Sequence, residues 1–551
     1  MRRQPALLVA ASSLLVVLGG CQSAGSGPGE PSARLYSGMG DHGRVISTDS
    51  EEAQRYFDQG LQLTFGFNHD EAIRSFRHAA ELDPDAPMPW WGVAYCHGIN
   101  INDPEMGEER SRAAWDAVQK ARANIGRASP TERALIEALS ARYAWPAPED
   151  RSGLDRAYAD AMRRVYLRYS DDADVAALYA ESLMNLQAWD YWTNDGEPKG
   201  RIEEVVAVLE RAMEASPDHP GVNHFYIHAV EASADPDRAV PAADRLTGLV
   251  PGSGHLVHMP SHIYIRVGRY GDAARSNVDA VGIDRAYFAQ APEPGMYAAY
   301  YAHNLHFLAF ASMMSGDEQS ALRAARDLEA DMPEAPLREF AGLIEGIMPT
   351  NFHVLIRFGR WEQVLDEPDY PEWRSMSRAV RSYARSVACS ALGRTEQARA
   401  EMAEFERRAA LVPDEWFVMQ NRVTDVLPIA RAMIEGELLF REGRREEAFA
   451  KLREGVAAED RLVYDEPPGW MLPVRHALGA LMMADGRYAE CEAVYREDLA
   501  RNRENMWALT GLRLALDAQG KTDEAASVGT RLEAALADAT VRPSSSCLCE
   551  P

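Results

Sequence analysis

The chain has 551 residues, enough for about two to four globular domains or one long repeat array. Its 84 acidic residues outnumber 58 basic ones, and the resulting net charge of −26 excludes the nucleic-acid binding that clustered cations provide. A hydrophobic content of 46% excludes wholesale disorder, and six cysteines in so long a chain exclude a scaffold built on disulfides.

The N-terminus has the features of a secretion signal. A basic start, MRR, is followed by an apolar run over residues 5–18 and then by LGGC at residues 18–21. This ending resembles the lipobox of bacterial lipoproteins. The resemblance implies that residues 1–20 are a signal peptide and that Cys21 is lipidated. Gln22 after the cysteine implies an outer-membrane destination.

Residues 21–47 are rich in Gly, Ser and Pro, which predicts a flexible tether. No other stretch approaches 18 continuous apolar residues, so the sequence predicts no further membrane span. We therefore expect a protein of the bacterial cell envelope, anchored to the lipid bilayer through Cys21 at the outer membrane and facing the periplasm.

From Glu51 onward, apolar residues recur at helical spacing in segments of about 12 to 18 residues separated by short turns. Residues 53–86 resemble a tetratricopeptide repeat (TPR), a helix–turn–helix unit of about 34 residues. Small residues at positions 8, 20 and 27 let the helices approach, a large one at 24 fills the next gap, and Pro at 32 ends the second helix. Gly60, Ala72 and Ala79 occupy positions 8, 20 and 27, Phe76 occupies position 24, and Pro84 occupies position 32.

The same register recurs more weakly downstream, where Gly at position 15 is followed by Ala or Cys at position 20 or, more loosely after Gly359, by Val364. Such glycines are Gly268, Gly316, Gly359, Gly393, Gly443, Gly486 and Gly520. The fold class is therefore all-α, a TPR-like superhelix (α-solenoid) of degenerate repeats, with loop insertions at 99–130 and 189–200. We predict N-terminal, central His-rich and C-terminal helical segments and a disordered tail, at residues 48–140, 141–345, 346–538 and 539–551.

Seven of the fourteen histidines lie between residues 224 and 306. In TPR proteins, positions 2, 5, 9 and 12 of the first helix commonly face a bound ligand in the concave groove. In this register nine histidines occupy such positions. They are His224, His228, His255, His258, His262, His303, His306, His353 and His476.

The spacing of these residues predicts a metal site. His224 and His228 are four residues apart and Glu231 follows three later, so one helical face carries all three. Imidazoles with a carboxylate suit a divalent transition metal such as Zn, Cu, Fe or Ni. We predict Glu231 as a ligand or general base, and as metal ligands His224, His228, His258, His262, His303 and His306.

The sequence names no reaction, because Phe225 follows His224 and the HExxH motif of zinc proteases is missing. Pro260 also leaves open a helix that begins there, with His255 and His258 in the preceding loop. Isolated imidazoles on amphipathic helices are usually structural, and a groove of imidazoles also suits acidic peptide termini. TPR arrays are most often interaction scaffolds, so the alternative function is binding of an envelope protein or peptide without metal.

The cysteines other than Cys21 fall into two groups. Three lie within helical patterns and are expected to be buried thiols: Cys96, Cys389 and Cys491. Cys547 and Cys549 lie in the tail, where the sequence leaves oxidation, metal binding and simple disorder open.

Overall fold

The structure, a computed structural model, describes residues 33–291 and 295–549. The signal peptide and the lipidated Cys21 predicted above lie outside the described residues. The described chain is mostly helical and has almost no strands. One antiparallel hairpin pairs the two-residue strands β1 (Phe417–Val418) and β2 (Asn421–Arg422). No helix among the described residues combines the length and apolarity needed to cross a bilayer.

The described residues up to 258 form eleven α-helices, labelled in chain order. They are α1 (Glu51–Phe65), α2 (His69–Leu82), α3 (Pro87–Cys96), α4 (Glu108–Ala123), α5 (Pro130–Ser140), α6 (Ser152–Arg168), α7 (Ala173–Met184), α8 (Ile202–Ala215), α9 (Pro220–Val230), α10 (Val240–Leu249) and α11 (Gly254–His258).

The remaining helices follow. They are α12 (Pro260–Arg266), α13 (Tyr270–Phe288), α14 (Tyr297–Ser315), α15 (Glu318–Asp331), α16 (Glu334–Glu339), α17 (Ala341–Ile344), α18 (Thr350–Arg357), α19 (Trp361–Asp366), α20 (Ser375–Ala391), α21 (Thr395–Ala409), α22 (Val423–Arg441), α23 (Arg445–Glu459), α24 (Val474–Ala484), α25 (Tyr488–Arg501), α26 (Met506–Ala518) and α27 (Thr522–Ala535).

The chain forms two compact units. The first unit comprises the residues up to 263 together with 279–301, and the second comprises 264–278 and the residues from 302 onward. This division differs from the three helical segments predicted from sequence. The prediction followed where histidines cluster along the chain, whereas the units follow which helices pack together.

The packing confirms the TPR-like repeat. Phe76 of α2 lies against Gly60 of α1 and Gly92 of α3, where an added Cβ would come within 2.6 Å of a ring carbon. The second unit repeats this arrangement, since a Cβ at Gly479 of α24 would lie 2.5 Å from the ring of Tyr495. A large side chain at position 24 thus occupies the gap that glycine at position 8 leaves, as the repeat pattern predicts.

The turns between paired helices are also as predicted. All seven glycines at position 15 adopt the left-handed conformation, with φ between 63° and 83°. Glycine takes this conformation without the steric penalty of a Cβ, so it ends the first helix and turns the chain into the second. The three cysteines in helices are buried free thiols, also as predicted.

The flexible tether predicted over residues 21–47 is wrong for its described part, residues 33–47, which packs on the first unit. The Arg44 guanidinium donates to both carboxylate oxygens of Asp172, at 3.0 and 2.9 Å, and to Asp174 at 2.9 Å. Gly/Ser/Pro composition indicates a flexible chain, but it does not reveal these long-range ion pairs.

The disordered tail predicted over residues 539–551 is likewise wrong for its described part, residues 539–549. The Ser546 hydroxyl, fully buried, donates to the carbonyl of His476 at 2.7 Å, and the Arg357 guanidinium donates to the Ser546 carbonyl at 3.2 Å. The tail therefore packs against helices of the second unit, through contacts that its composition does not predict.

Candidate metal centre

Two predicted ligands lie on α9. This helix begins at Pro220, and His219 caps it by accepting from the backbone N–H of Val222 at 3.1 Å. His224 and His228 follow one turn apart and therefore share a face of the helix, as predicted. Both side chains are buried.

Two short helices supply three more imidazoles. His255 and His258 lie on α11, and His262 lies on α12, which begins at Pro260. Met259 separates the two helices, so the proline interrupts the chain without converting the preceding residues into a loop. His255 and His258 are helical, contrary to the alternative that the proline suggested.

The start of α11 is fixed by close packing. A Cβ on Gly254 would lie 1.9 Å from Oδ1 of Asp284, so a side chain does not fit there. The backbone N–H of His255 donates to the hydroxyl oxygen of Tyr297 at 3.0 Å. Burial raises the pKa of that hydroxyl well above its ordinary value. These contacts hold the His255 backbone in position.

The tautomer of His224 follows from its hydrogen bond. Its Nδ1 lies 2.7 Å from the carbonyl oxygen of Phe65, and because a carbonyl only accepts, Nδ1 must carry the proton. In the neutral imidazole, Nε2 is then an unprotonated donor of a lone pair. Metal-binding histidines commonly have their second nitrogen fixed in this way.

Glu231 fixes two further imidazoles. Its Oε1 lies 3.1 Å from Nδ1 of His228, and its Oε2 lies 2.8 Å from Nδ1 of His262. Burial raises the pKa of this carboxyl, but the charge interactions and hydrogen bonds with His228 and His262 together outweigh burial and hold the pKa below its ordinary value. The carboxylate is therefore ionised and accepts from both Nδ1 atoms, which leaves both Nε2 atoms unprotonated.

In one part of the cluster, hydrogen bonds link Ser261, His258, His262 and Glu231 to one another. Nε2 of His262 is an acceptor, so Nε2 of His258, at 2.7 Å, donates to it. Nδ1 of His258 then accepts, and the Ser261 hydroxyl lies 3.4 Å away. Hydrogen bonds therefore run from Ser261 through His258 and His262 to Glu231.

The other part of the cluster comprises His224, His228 and His255, and two of its ring nitrogens have no hydrogen-bond partner among the described residues. His224, His228 and His255 bring one ligand atom each within 4.8 Å of one another. Nε2 of His224 lies 3.2 Å from Nε2 of His255, a distance at which His255 donates to His224 when no ion is bound. Two nitrogens bound to one tetrahedral zinc at about 2.0–2.1 Å are about 3.3 Å apart. Nε2 of His228 and Nδ1 of His255 are buried without a hydrogen-bond partner in the described part of the chain.

Burial keeps these imidazoles neutral. Desolvation lowers the pKa of His228 and lowers the pKa of His224 and His255 well below the ordinary value, and the neighbouring imidazoles of the cluster lower the last two further. Neutral imidazole is the form that binds a metal ion. His224, His228 and His255 are therefore in the form that can bind a metal ion at neutral pH.

Two aromatic residues with unusual backbone conformations pack on the imidazoles. Phe67 has φ 55°, and its ring lies 4.6 Å from His224 and 5.3 Å from His255. Trp189 has φ 64°, and its ring lies 5.2 Å from His228. Positive φ is unfavourable for such bulky residues, by about 1–3 kcal/mol, and this conformation concentrates at functional sites.

The two insertions in the repeat pattern meet beside the cluster. Trp189, from the insertion at 189–200, donates from Nε1 to Asn102, from the insertion at 99–130, at 3.1 Å. Asn102 in turn donates to the hydroxyl of Tyr300 at 3.1 Å, and the Tyr300 ring lies 4.6 Å from His255. Both departures from the regular repeat thus supply residues that border the imidazoles.

The first unit brings together four of the six predicted ligands, and the sequence prediction missed one. His255 was assigned to the groove but omitted from the ligand set, although its position 2 was the available signal. The remaining two, His303 and His306, lie on α14 in the second unit. Burial, with a smaller effect of His353, lowers the pKa of His306 to about 3.

Other histidines are held as structural residues. His476 accepts from Arg357 at Nδ1, at 3.1 Å, and donates from Nε2 to Asp498 at 3.0 Å. Nε2 of His219 lies 3.0 Å from Asp174, which also receives Arg44. These nitrogens have protein partners, so the groups need no ion.

No protein-family model matches the chain, and no curated protein matches it significantly. Among solved structures it is similar to the human IFIT1 dimer with m7Gppp-AAAA, at 11% identity and a TM-score of 0.31, over 90% of this chain and 92% of that one. It is also similar to yeast Tom70, at 10% identity and a TM-score of 0.28, over 88% and 93% of the two chains. Similarity at this level carries no argument about what this chain binds.

Proposed function

We propose that the first unit binds a divalent transition metal ion through His224, His228 and His255. Glu231 acts as a positioning residue, because both of its oxygens hold imidazoles in the required tautomer. Zn, Cu, Fe and Ni all suit a set of neutral imidazoles. His258 and His262 form the adjoining hydrogen-bonded pair.

The observation that carries the proposal is the unpartnered Nε2 of His228. This atom is buried, its proton is fixed on the opposite nitrogen by Glu231, and it lies in the same group as His224 and His255. A buried lone pair without a donor is unfavourable, by about 1–3 kcal/mol, unless an ion or another group engages it. A bound cation removes that penalty.

A metal ion in such a site would act as a Lewis acid on an oxygen ligand. The protein contributes ligand geometry, a buried environment and the aromatic side chains of Phe67 and Trp189. Neither oxygen of Glu231 is free to act as a general base while both hydrogen bonds persist. We therefore propose metal binding and assign no reaction.

The test is elemental analysis of the chain from residue 22 onward, purified without added metal or chelator. We expect close to one equivalent of Zn, Cu, Fe or Ni, lost in His228→Ala and retained in the control His78→Ala. His78 lies on α2 outside the cluster and contacts Glu81. A metal-free protein that also fails to take up added ions, while its circular dichroism is native, overturns the proposal.

We further propose that the protein is anchored by lipid on Cys21 to the outer membrane and faces the periplasm. The support is the LGGC sequence with its basic and apolar approach. Metabolic labelling with a radioactive fatty acid should mark the wild type and not Cys21→Ala. Equal labelling of both chains would contradict the anchor.

A second candidate function, binding of an extended protein or peptide, is supported by the second unit. There the chain's own tail lies against helices of TPR-like pairs, with Ser545, Ser546 and Cys549 buried. This contact supports the proposal that the surface accepts a peptide segment. Removal of residues 540–551 should expose it, and calorimetry with a peptide of that sequence should then show binding to the truncated chain and none to the full chain.

A further inference from the structure

The last described residues carry a reactive group of their own. Cys547 and Cys549 form a disulfide across a single intervening residue. Cys549 is buried, whereas Cys547 is half-buried. Both belong to the second unit and lie outside the imidazole cluster.

The second unit holds this segment from both sides. Upstream, the Ser546 hydroxyl lies 2.5 Å from the hydroxyl of Tyr495 and donates to the carbonyl of His476. Downstream, the Arg441 guanidinium donates to the carbonyl of Cys549. The two sulfurs are therefore placed by contacts that do not depend on the disulfide itself.

The disulfide does little as a cross-link. It closes a loop of only three residues and joins no two elements of the fold. The stabilisation that a disulfide gives by restricting the unfolded chain grows with loop length, so it is smallest in a loop of this size. A chemical role accounts for the pair better than a structural one.

A buried carboxyl faces the sulfurs. Glu437 of α22 is fully buried, and neither of its oxygens has a hydrogen-bond partner among the described residues. One of its oxygens lies within 4.8 Å of the sulfurs of Cys547 and Cys549. Burial raises the pKa of Glu437 to about 8, against a smaller opposing effect of Arg441, so the carboxyl is mostly protonated at neutral pH.

Few other charged or titratable groups face Glu437. Arg441 lies on the same helix, and Tyr383 of α20 interacts electrostatically with the carboxyl. Burial raises the pKa of Tyr383 far above neutrality, with Glu437 adding to the increase. Among these groups, Glu437 is therefore the one placed to exchange a proton near pH 8.

We propose that the Cys547–Cys549 pair is a thiol–disulfide exchange site in which Glu437 donates a proton to, and accepts one from, the sulfur of Cys549. The co-reactant is a dithiol, either a small molecule or a pair of cysteines in a protein. This activity is independent of the metal site proposed for the first unit.

The reduction steps follow from the exposure of the two sulfurs. A thiolate of the co-reactant attacks Cys547, the more accessible sulfur, and the S–S bond breaks. Cys549 leaves with the electron pair and takes the proton of Glu437. The second thiolate of the co-reactant then attacks the co-reactant's first sulfur, which is bonded to Cys547 in the mixed disulfide. This step releases Cys547 as a thiolate, which takes a proton from water. The protein gains two thiols, and the co-reactant becomes a disulfide.

The acid is needed because Cys549 is buried. An apolar environment disfavours a thiolate, so a sulfur leaving into it is slow to depart unless it is protonated. General acid catalysis typically contributes about 100-fold or more. We expect loss of the Glu437 proton to slow reduction at least about tenfold.

The test measures reduction of the oxidised full chain by excess dithiothreitol. We expect two new thiols per chain, and a rate constant at pH 7 that falls at least about tenfold in Glu437→Gln. Glu435→Gln is the matched control, because Glu435 lies on the same helix but pairs with Lys451 at 3.2 Å. The ratio of wild-type to Glu437→Gln rates should approach one well above pH 8, where Glu437 has lost its proton.

A second variant keeps the proposal testable if Glu437→Gln does not fold. In Cys549→Ser, the remaining thiol of Cys547 should form a stable mixed disulfide with glutathione disulfide, because neither a neighbouring cysteine nor a second thiol on this monothiol can release it. Equal rates in Glu437→Gln and the control, or no trapped adduct on Cys547, overturns the proposal. Stoichiometric zinc bound to the two reduced thiols and blocking their oxidation would also overturn it, in favour of a metal site.

Discussion

Replacing Glu231 by Gln tests the geometry of the candidate metal centre most directly. The carboxylate accepts from Nδ1 of both His228 and His262, at 3.1 and 2.8 Å. A glutamine amide has one oxygen and one NH2 group, so it accepts from one imidazole and presents donors to the other. One imidazole must then move its proton to Nε2 and can no longer offer a lone pair there.

The magnitude is worked for the case in which His228, the proposed ligand of the two, is the imidazole that changes its tautomer. Removing a group that orients a metal-binding histidine typically lowers metal affinity 10- to 100-fold, or about 1.4–2.7 kcal/mol. Exchanging a charge-assisted hydrogen bond for a neutral one also lowers the free energy of unfolding of the metal-free protein by about 1–2 kcal/mol. Affinity should therefore fall further than stability alone explains.

The assay is competition for Zn²⁺ or Co²⁺ against a chromophoric chelator at pH 7. Glu214→Gln is the control, since it removes one exposed negative charge from α8 of the same unit. We expect the control to bind as the wild type does. Affinity of Glu231→Gln within twofold of the wild type would refute the assignment of Glu231 as the residue that orients the imidazoles.

Three further predictions concern stability, read from thermal or urea unfolding. Acidification below pH 6.5 should destabilise the metal-free first unit, by up to about 1.4 kcal/mol per pH unit for each buried imidazole. Because burial lowers the pKa of His224 in the folded state, this part of the stability is present above pH 6.5 and is lost below it. A free energy of unfolding that stays constant from pH 7 to 5 contradicts this. Gly60→Ala places a Cβ 2.6 Å from the Phe76 ring and should lower the free energy of unfolding by about 1–3 kcal/mol. A change below roughly 0.5 kcal/mol, the effect of a surface substitution, would show that the ring moves aside. Asp174→Asn weakens the contacts to Arg44, so it should lower the free energy of unfolding by about 2–4 kcal/mol and speed proteolysis within residues 33–47. Unchanged cleavage would show that other contacts hold this segment.

Part of the candidate site could be predicted because it depends on local spacing. His224 and His228 are four residues apart on one helix, and a 3.6-residue period places them on one face whatever surrounds them. The same register gave His255 a groove position. Its inclusion among the ligands required the 3.2 Å distance to His224, which joins residues 31 positions apart.

Other parts of the site depend on contacts between distant segments. Phe65 fixes the tautomer of His224 from 159 residues away in the chain, and Trp189 reaches Asn102 from 87 residues away. The sequence marks the two insertions as irregular, but no periodicity indicates that they meet beside the imidazoles. Likewise, Gly/Ser/Pro composition suggested free ends, whereas Arg44 and Ser546 hold both described ends on the units.

The sequence by itself determined the helices, their pairing and the turns, because repeat spacing, small residues at the helix contacts and glycine in the left-handed conformation act over one or two turns of chain. Only the tertiary structure decided which imidazoles share a group, which nitrogen of each is protonated and which carboxyl faces the two cysteines. These properties depend on distances between residues far apart in sequence and on burial, which sets the pKa values, and neither quantity is encoded in local spacing.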